Sequence, residues 1–390
     1  MEPAVPYEIF GPEQQEFRRA VRSFVEKELL PHAEEWDKEQ AFPREVFNRF
    51  GELGFFGLKY PAAYGGSLEE GNETAGWLAD VVLTEEISGA GSGGVAAALG
   101  ASKDLFALHI CKFGTEEQRQ RWLVPAITGE IIGALAVTEP GAGSDVAAIE
   151  TRASREGDGW VLSGTKVFIT NGTWADAVVV AAKTDPAAGY GGISLFVVEK
   201  GTPGFSARRI HTLGWRTSQT AELSFQECRL AADSLLGREG QGFYNIMQNF
   251  VWERLAMSLG AVAGADRVYK MAKDYALTRE IFGRPIGKHQ VWRHRFAEMA
   301  TSLEEARRLT YHALRLYLAG ESAVREAAMA KLHSSEVAFR ISDECVQVLG
   351  GYGYMMEYPA QRAWRDLRLN SIGGGTSQIM REIIARAIGV

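Results

Sequence analysis

The feature that most constrains this chain is a change of hydrophobic period, from helical to strand-like and back, which divides it into three stretches. From Pro12 to about Glu130 the apolar residues keep helical spacing, with Phe17, Val21, Phe24, Val25 and Leu29 falling on one helix face. Pro61-Ala62-Ala63-Tyr64-Gly65-Gly66 reads as a loop, and Gly91-Ser92-Gly93-Gly94 as a turn or helix boundary. Near Gly133 the texture changes. Trp160 to Gly164, Lys166 to Thr170, Ala177 to Ala182 and Ile193 to Val198 are short β-rich runs closed by Gly, Asp or Pro. The links between consecutive runs are too short for crossover helices, which predicts antiparallel sheet rather than a doubly wound parallel one. After Gly237 the helical spacing returns, with Val337, Ile341, Cys345 and Val348 on one buried face. The expectation is an α+β multidomain chain: helical over 1–130, antiparallel β over 131–235 and a helical bundle over 236–390.

Composition excludes several functions. A formal charge of -7 lacks the basic excess that phosphate-backbone binding requires, so nucleic acid is not an expected partner. Cys111, Cys228 and Cys345 are odd in number and far apart, giving neither a disulfide framework nor a metal signature, and fit a reducing cytoplasm. Met1 to Gly11 is acidic and Pro-broken, unlike a secretory signal, and no apolar run of about 18 residues suggests a membrane span. There is no HExxH motif, and His289 and His294 stand at an offset that turns them apart on a helix, so no metal site is expected.

Four segments carry polar chemistry. Thr138-Glu139-Pro140-Gly141-Ala142-Gly143-Ser144-Asp145 follows an apolar run and gathers hydroxyls, glycines and backbone amides that can hold a polar ring edge, although alone it reads equally as a β-turn. Arg279 to Gly287 ends a long helical stretch with two arginines, where Arg279 either clamps a pyrophosphate or complements the helix dipole. Gln347-Val348-Leu349-Gly350-Gly351 ends another helix in exposed amides or an ordinary glycine cap. In Ile372-Gly373-Gly374-Gly375-Thr376-Ser377-Gln378, three successive glycines cost about 2 to 3 kcal/mol of propensity, which favours close approach of a ligand over a loose loop. Gly260, Ala261, Ala263, Gly264 and Ala265 keep one helix thin, for tight packing or for a flat ligand.

In this order and at these separations the segments, with Phe168-Ile169-Thr170-Asn171-Gly172, resemble the acyl-CoA dehydrogenase family over nearly the whole chain. That resemblance implies a helical N-terminal domain, a middle β domain, a C-terminal four-helix bundle, and a homotetramer built as a dimer of dimers. It implies FAD as cofactor, an acyl-CoA as substrate and an electron-transfer flavoprotein as electron acceptor. Leu135, Ala136, Val137, Thr138, Gly143, Ser144, Phe168, Ile169 and Thr170 would meet the flavin ring and ribityl chain, Ser144 also the CoA phosphopantetheine. Arg279, Gln290, Gln347, Val348, Leu349, Gly350, Gly351, Thr376, Ser377 and Gln378 would hold the pyrophosphate and adenosine, some across a dimer interface. Phe168 stands where tryptophan is frequent in the family, and Ile281 where threonine is frequent.

Gly374 is the departure with chemical weight, because many family members place their catalytic glutamate there. Isovaleryl-CoA and long-chain dehydrogenases instead carry the base before an arginine on a bundle helix, in the context matched by Trp252-Glu253-Arg254-Leu255. The resemblance therefore assigns the base to Glu253, against the alternative of a surface glutamate paired with a cation, with Arg254, Gly374 and Gly375 beside the substrate. The absent side chain at Gly374 is expected to leave room near the α-carbon for branched or larger acyl groups. Flavin oxidases and monooxygenases, or a non-catalytic flavin-binding protein, are the competing readings on the same scaffold.

Overall fold

The structure, a computed structural model, describes residues 9–390, so most of the Met1 to Gly11 segment considered for targeting lies outside the described residues. The N-terminal region is helical, with α1 (Pro12–Phe24), α2 (Glu73–Ser88) and α3 (Gly93–Phe113) as its main elements. Ser92 starts α3 by accepting a hydrogen bond from the Val95 N–H at 3.4 Å. Contrary to the expectation of no spanning-length run, α3 is long and apolar enough to cross a bilayer. It is nevertheless 72% buried inside the protein and serves as a core helix.

The middle region is one sheet of eight strands: β1 (Gly133–Ala136), β2 (Arg152–Glu156), β3 (Gly159–Ile169), β4 (Ala177–Lys183), β5 (Ile193–Glu199), β6 (Phe205–Arg209), β7 (Ala221–Leu230) and β8 (Leu235–Leu236). Most pairings are antiparallel, in the order β6-β7-β3-β2-β4-β5-β8, but β1 pairs with β4 in parallel from Gly133↔Ala177 to Ala136↔Val180. The sheet is therefore mixed. Short links constrain only consecutive strands, and β1 and β4 are separated by a loop and two strands. The two runs expected on either side of Thr165 are one strand, β3. Gly164 allows the continuity: at φ +154° it passes Thr151 so closely that a Cβ would lie 2.3 Å from Thr151 Oγ1.

The C-terminal region has three long helices, α4 (Gly242–Thr278), α5 (Gln290–Leu318) and α6 (Val324–Leu349), completed by α7 (Pro359–Arg368) and α8 (Ser377–Ile388) packed on α6. Helix α4 spans two cores. Its Ile246, Trp252, Leu255 and Leu259 join the N-terminal core, whereas Ala261, Ala265, Val268 and Ala272 join the bundle core. Each large apolar side chain so buried stabilises the fold by about 1.5 to 3 kcal/mol, so α4 locks the two helical regions together. Its Glu253 lies where the N-terminal helices and the bundle meet the sheet.

Candidate active site

A cleft of about 1270 Å³ opens between the sheet, α3, α4 and the glycine loop before α8. Strand alternation selects which of the β1 residues reach it. Leu135 and Val137 line the cleft, while Ala136 turns with Ala134 into the core of the sheet, so only its backbone is available to a ligand.

The loop after β1 is fixed from behind. Lys166, fully buried on β3, donates from Nζ to Val137 O at 2.9 Å and to Glu139 Oε1 at 2.7 Å. Glu139 also accepts from the Thr151 N–H at 3.0 Å, and the Val167 N–H donates to Thr138 O at 2.9 Å. Burial lowers Lys166 to about 8, partly offset by Glu139. Burial also raises the Glu139 carboxyl, but Lys166 and the backbone donors overcome it and hold the group below its ordinary value. Thr138, Gly143 and Ser144 are thereby presented along the cleft, with open space around Gly143. Phe168 sits at φ +61°, an uncommon conformation for an aromatic residue, and leaves 65% of its surface exposed in the cleft wall. Ile169 and Thr170 line the cleft beside it. Asn171 anchors this turn, donating from Nδ2 to Ala98 O at 2.8 Å and Gly133 O at 3.2 Å.

On the opposite wall Glu253 is half-buried, and its Oε2 is shielded from solvent without a hydrogen-bond partner. Desolvation, only partly countered by Arg254 and Lys331, raises its carboxyl to about 7. Arg254 is buried in the same wall, with its Nε also lacking a partner. Gly374 and Gly375 stand opposite at φ +61° and +96°. A Cβ on Gly374 would lie 3.5 Å from Glu253 Oε1, but also 2.4 Å from Met257 Sδ. The room expected at Gly374 is therefore taken by Met257, one turn along α4 from Glu253. Fully buried Lys331 on α6 donates from Nζ to Gly375 O and pins the loop. The Gly373 N–H is donated to Leu369 O, whereas no acceptor among the described residues takes the Gly374 N–H.

Thr376 lines the cleft and caps α8, its Oγ1 accepting from the Ile379 N–H at 3.2 Å. Ser377 is buried with an unpartnered Oγ, and Gln378 is exposed outside the cleft. Arg279, Gln290, Gln347, Gly350 and Gly351 are exposed elsewhere, at the end of the bundle where α4 and α6 finish and α5 begins. Val348 and Leu349 belong to the bundle core and offer only backbone. Nearby Phe282 is 95% exposed and Tyr354 87%, so this face carries large uncovered aromatics. The thin stretch of α4 serves packing as well as the cleft: a Cβ on Gly260 would meet Ser88 Oγ at 3.0 Å, and one on Gly264 would meet Leu367 Cδ2 at 3.1 Å. Lys166, Met257 and Lys331 were not foreseen. Lys331 alone left a trace, as a lysine among small residues on a buried helix face with Ala327, Ala328, Ala330 and Ser334.

The three-region fold sets a carboxyl facing an amide-lined cleft, and comparison names the class and the family. Residues 11–130 match the acyl-CoA dehydrogenase N-terminal domain, 134–228 its middle domain and 240–389 its C-terminal domain. The short-chain specific acyl-CoA dehydrogenase of human mitochondria is 43% identical over 366 residues, 93% of this chain and 87% of that protein. The mouse mitochondrial long-chain specific enzyme is 38% identical over 383 residues, 97% of this chain and 87% of that protein. A glutaryl-CoA dehydrogenase from Mycobacterium smegmatis, solved in complex with FADH2, is similar at a TM-score of 0.90 and 30% identity, covering 98% of this chain and 95% of that one. The chain belongs to the acyl-CoA dehydrogenase family, whose members are flavoprotein oxidoreductases.

Proposed function

We propose that this protein uses FAD to dehydrogenate an acyl-CoA to its trans-2-enoyl-CoA, with Glu253 as the base and an electron-transfer flavoprotein as acceptor. The observation that carries this reading is the solvent-shielded, unpartnered Oε2 of Glu253, set across from the free N–H of Gly374.

The cleft suits a flavin: it offers the open backbone at Gly143, the hydroxyls of Thr138, Ser144 and Thr170, and the exposed Phe168 ring. The pyrophosphate and adenosine would lie beyond it, against Thr376 and Gln378 and, from a neighbouring subunit of a homotetramer, Arg279, Gln290 and the backbone from Gln347 to Gly351. The exposed aromatics on that face support such an interface.

A thioester α-proton is weakly acidic, so its base works best with a pKa near the working pH, a condition met by a glutamate at about 7. Glu253 takes the α-proton on a carboxylate oxygen. Negative charge grows on the thioester oxygen as the proton leaves, and the Gly374 N–H donates to it. Lys331 keeps that donor in place through Gly375 O. Bound flavin supplies the acceptor for the hydride leaving the β-carbon. Arg254 and Lys331 favour the ionised base before reaction.

Anaerobic titration with a panel of acyl-CoAs tests the proposal. Bleaching of a bound flavin that denaturation releases as FAD is the expected result. Release of FMN, or no bleaching by any chain length, overturns it, and reoxidation by air within about a second would identify an oxidase.

A further inference from the structure

Beside the cleft lies a charged group that the chemistry above does not use. Lys59, Asp80, Lys103 and Asp104 are all buried, and they pair only with one another and with their neighbours. Asp80 is engaged at both oxygens: Oδ2 accepts from Lys59 Nζ at 2.9 Å and Oδ1 from Lys103 Nζ at 2.6 Å. Asp104 is not. Its Oδ1 takes three donors, Lys59 Nζ, Lys103 Nζ at 3.1 Å and Trp252 Nε1 at 2.8 Å, while its Oδ2 receives none among the described residues. The Asp104 side chain keeps 8% of its surface open against none for Asp80, and Asp104 is the one member of the four that lines the cleft. Its Oδ2 lies 3.6 Å from where a Gly100 Cβ would be, on a wall of small residues that includes Ala97, Gly100 and Ala101.

We propose that Asp104 Oδ2 is a specificity subsite for the acyl chain, selecting chains that carry a neutral hydrogen-bond donor, a hydroxyl or an amide N–H, away from the thioester. This rests on the acyl-CoA reading given above. Burying four charges is costly compared with packing apolar residues in their place, so a cluster that merely filled space would gain nothing from being ionic. What it does provide is a carboxylate held rigidly by three donors, with one lone-pair face turned to the cleft. Burial raises the Asp104 carboxyl, but Lys103 and Lys59 overcome this and hold it at about 2, so the group acts only as an acceptor. Charge then selects among possible tails. Burial pulls Lys59 below its ordinary value, while at Lys103 the carboxylates overcome burial and hold it above its own, so Lys103 is the firmer counter-charge. A carboxylate tail would be repelled by Asp104 itself, and an ammonium tail would have to give up its water for a single free oxygen. A methyl end would leave Oδ2 without a partner. A neutral donor completes the site, and the small residues leave it room. Trp252 couples this subsite to the base, because it holds Asp104 and immediately precedes Glu253.

The test uses the FAD-loaded protein and matched acyl-CoAs, equal in length, that end in a methyl, a hydroxyl or a ketone, read as kcat/KM for flavin reduction over a series of lengths. At the length that reaches Asp104 the hydroxyl chain should exceed the methyl chain by about tenfold, and the ketone, which can only accept, should be the poorest. In Asp104→Asn the amide oxygen stays with the lysines and turns its NH2 to the cleft, so the ketone should overtake the methyl chain. Equal values for hydroxyl and methyl at every length, or a uniform preference for methyl, overturn the subsite even if the variant does not fold. No reduction by any of the three chains would instead count against the dehydrogenase reading itself.

Discussion

The β-carbon that Gly374 lacks would stand 3.5 Å from Glu253 Oε1, so the glycine loop and helix α4 aim at one point from opposite sides. On the proposed reading a carboxylate from either segment would serve the same proton, and this chain would carry it on α4. Met257 occupies the space that a residue at 374 would need, with Sδ 2.4 Å from that β-carbon, and φ +61° disfavours any side chain there. Moving the base back to the loop should therefore need more than one change. Glu253→Gln with Gly374→Glu should recover little flavin reduction, and adding Met257→Ala should raise it at least several-fold. Equal rates for the double and triple variants would show that Met257 does not block the position.

The pH dependence follows from the environment of Glu253. The base must be ionised, and its carboxyl is raised to about 7, so the rate of flavin reduction should climb with pH and level off above that value. Lys331 is one of two cations that oppose the rise. In Lys331→Met the midpoint should move to higher pH, while a purely structural role for Lys331 would lower the rate without moving it. Stopped-flow reduction across the pH range separates the two.

Lys166 and Glu139 form a buried pair at 2.7 Å that holds the loop lining the cleft. Lys166→Met leaves Glu139 without its counter-charge and should cost about 3 to 5 kcal/mol of stability, together with flavin retention. Glu139→Gln combined with Lys166→Met should recover part of that loss. Denaturant midpoints of the single and double variants check this; a single variant as stable as the parent would show that the pair is dispensable.

Much of this was legible in the sequence, for identifiable reasons. Apolar period marked α1 and α6, whereas Leu135, Val137 and Thr138 could be placed only through the resemblance to the family, their own residues reading as an apolar run before a glycine-containing loop. The parallel pairing of β1 with β4 was not legible, because local link length says nothing about strands that meet after an excursion. Gly164 read as a break but is a close approach within β3, and nothing in the sequence sets Met257 against Gly374, so the crowding there is visible only in the fold. Asp104 and Lys103 stand in an apolar helix, yet their partners Lys59 and Asp80 lie on other elements and only the fold brings them together.

Assembly and cofactor binding should be linked. Arg279, Gln290 and Gln347 lie outside the cleft on a face with exposed Phe282 and Tyr354, where a neighbouring subunit would complete the adenosine site. Arg279→Ala should weaken FAD retention, and dilution to smaller species should release FAD. Light scattering that finds a monomer with tightly held FAD would rule out shared sites.

The central claim is that Glu253 removes the α-proton, and Glu253→Gln tests it most directly, because glutamine keeps the size of the side chain but cannot accept the proton. Anaerobic flavin reduction by a good acyl-CoA substrate should fall by about 10² to 10⁴ while FAD and acyl-CoA binding persist. Near-normal reduction in this variant would contradict the account and place the base elsewhere.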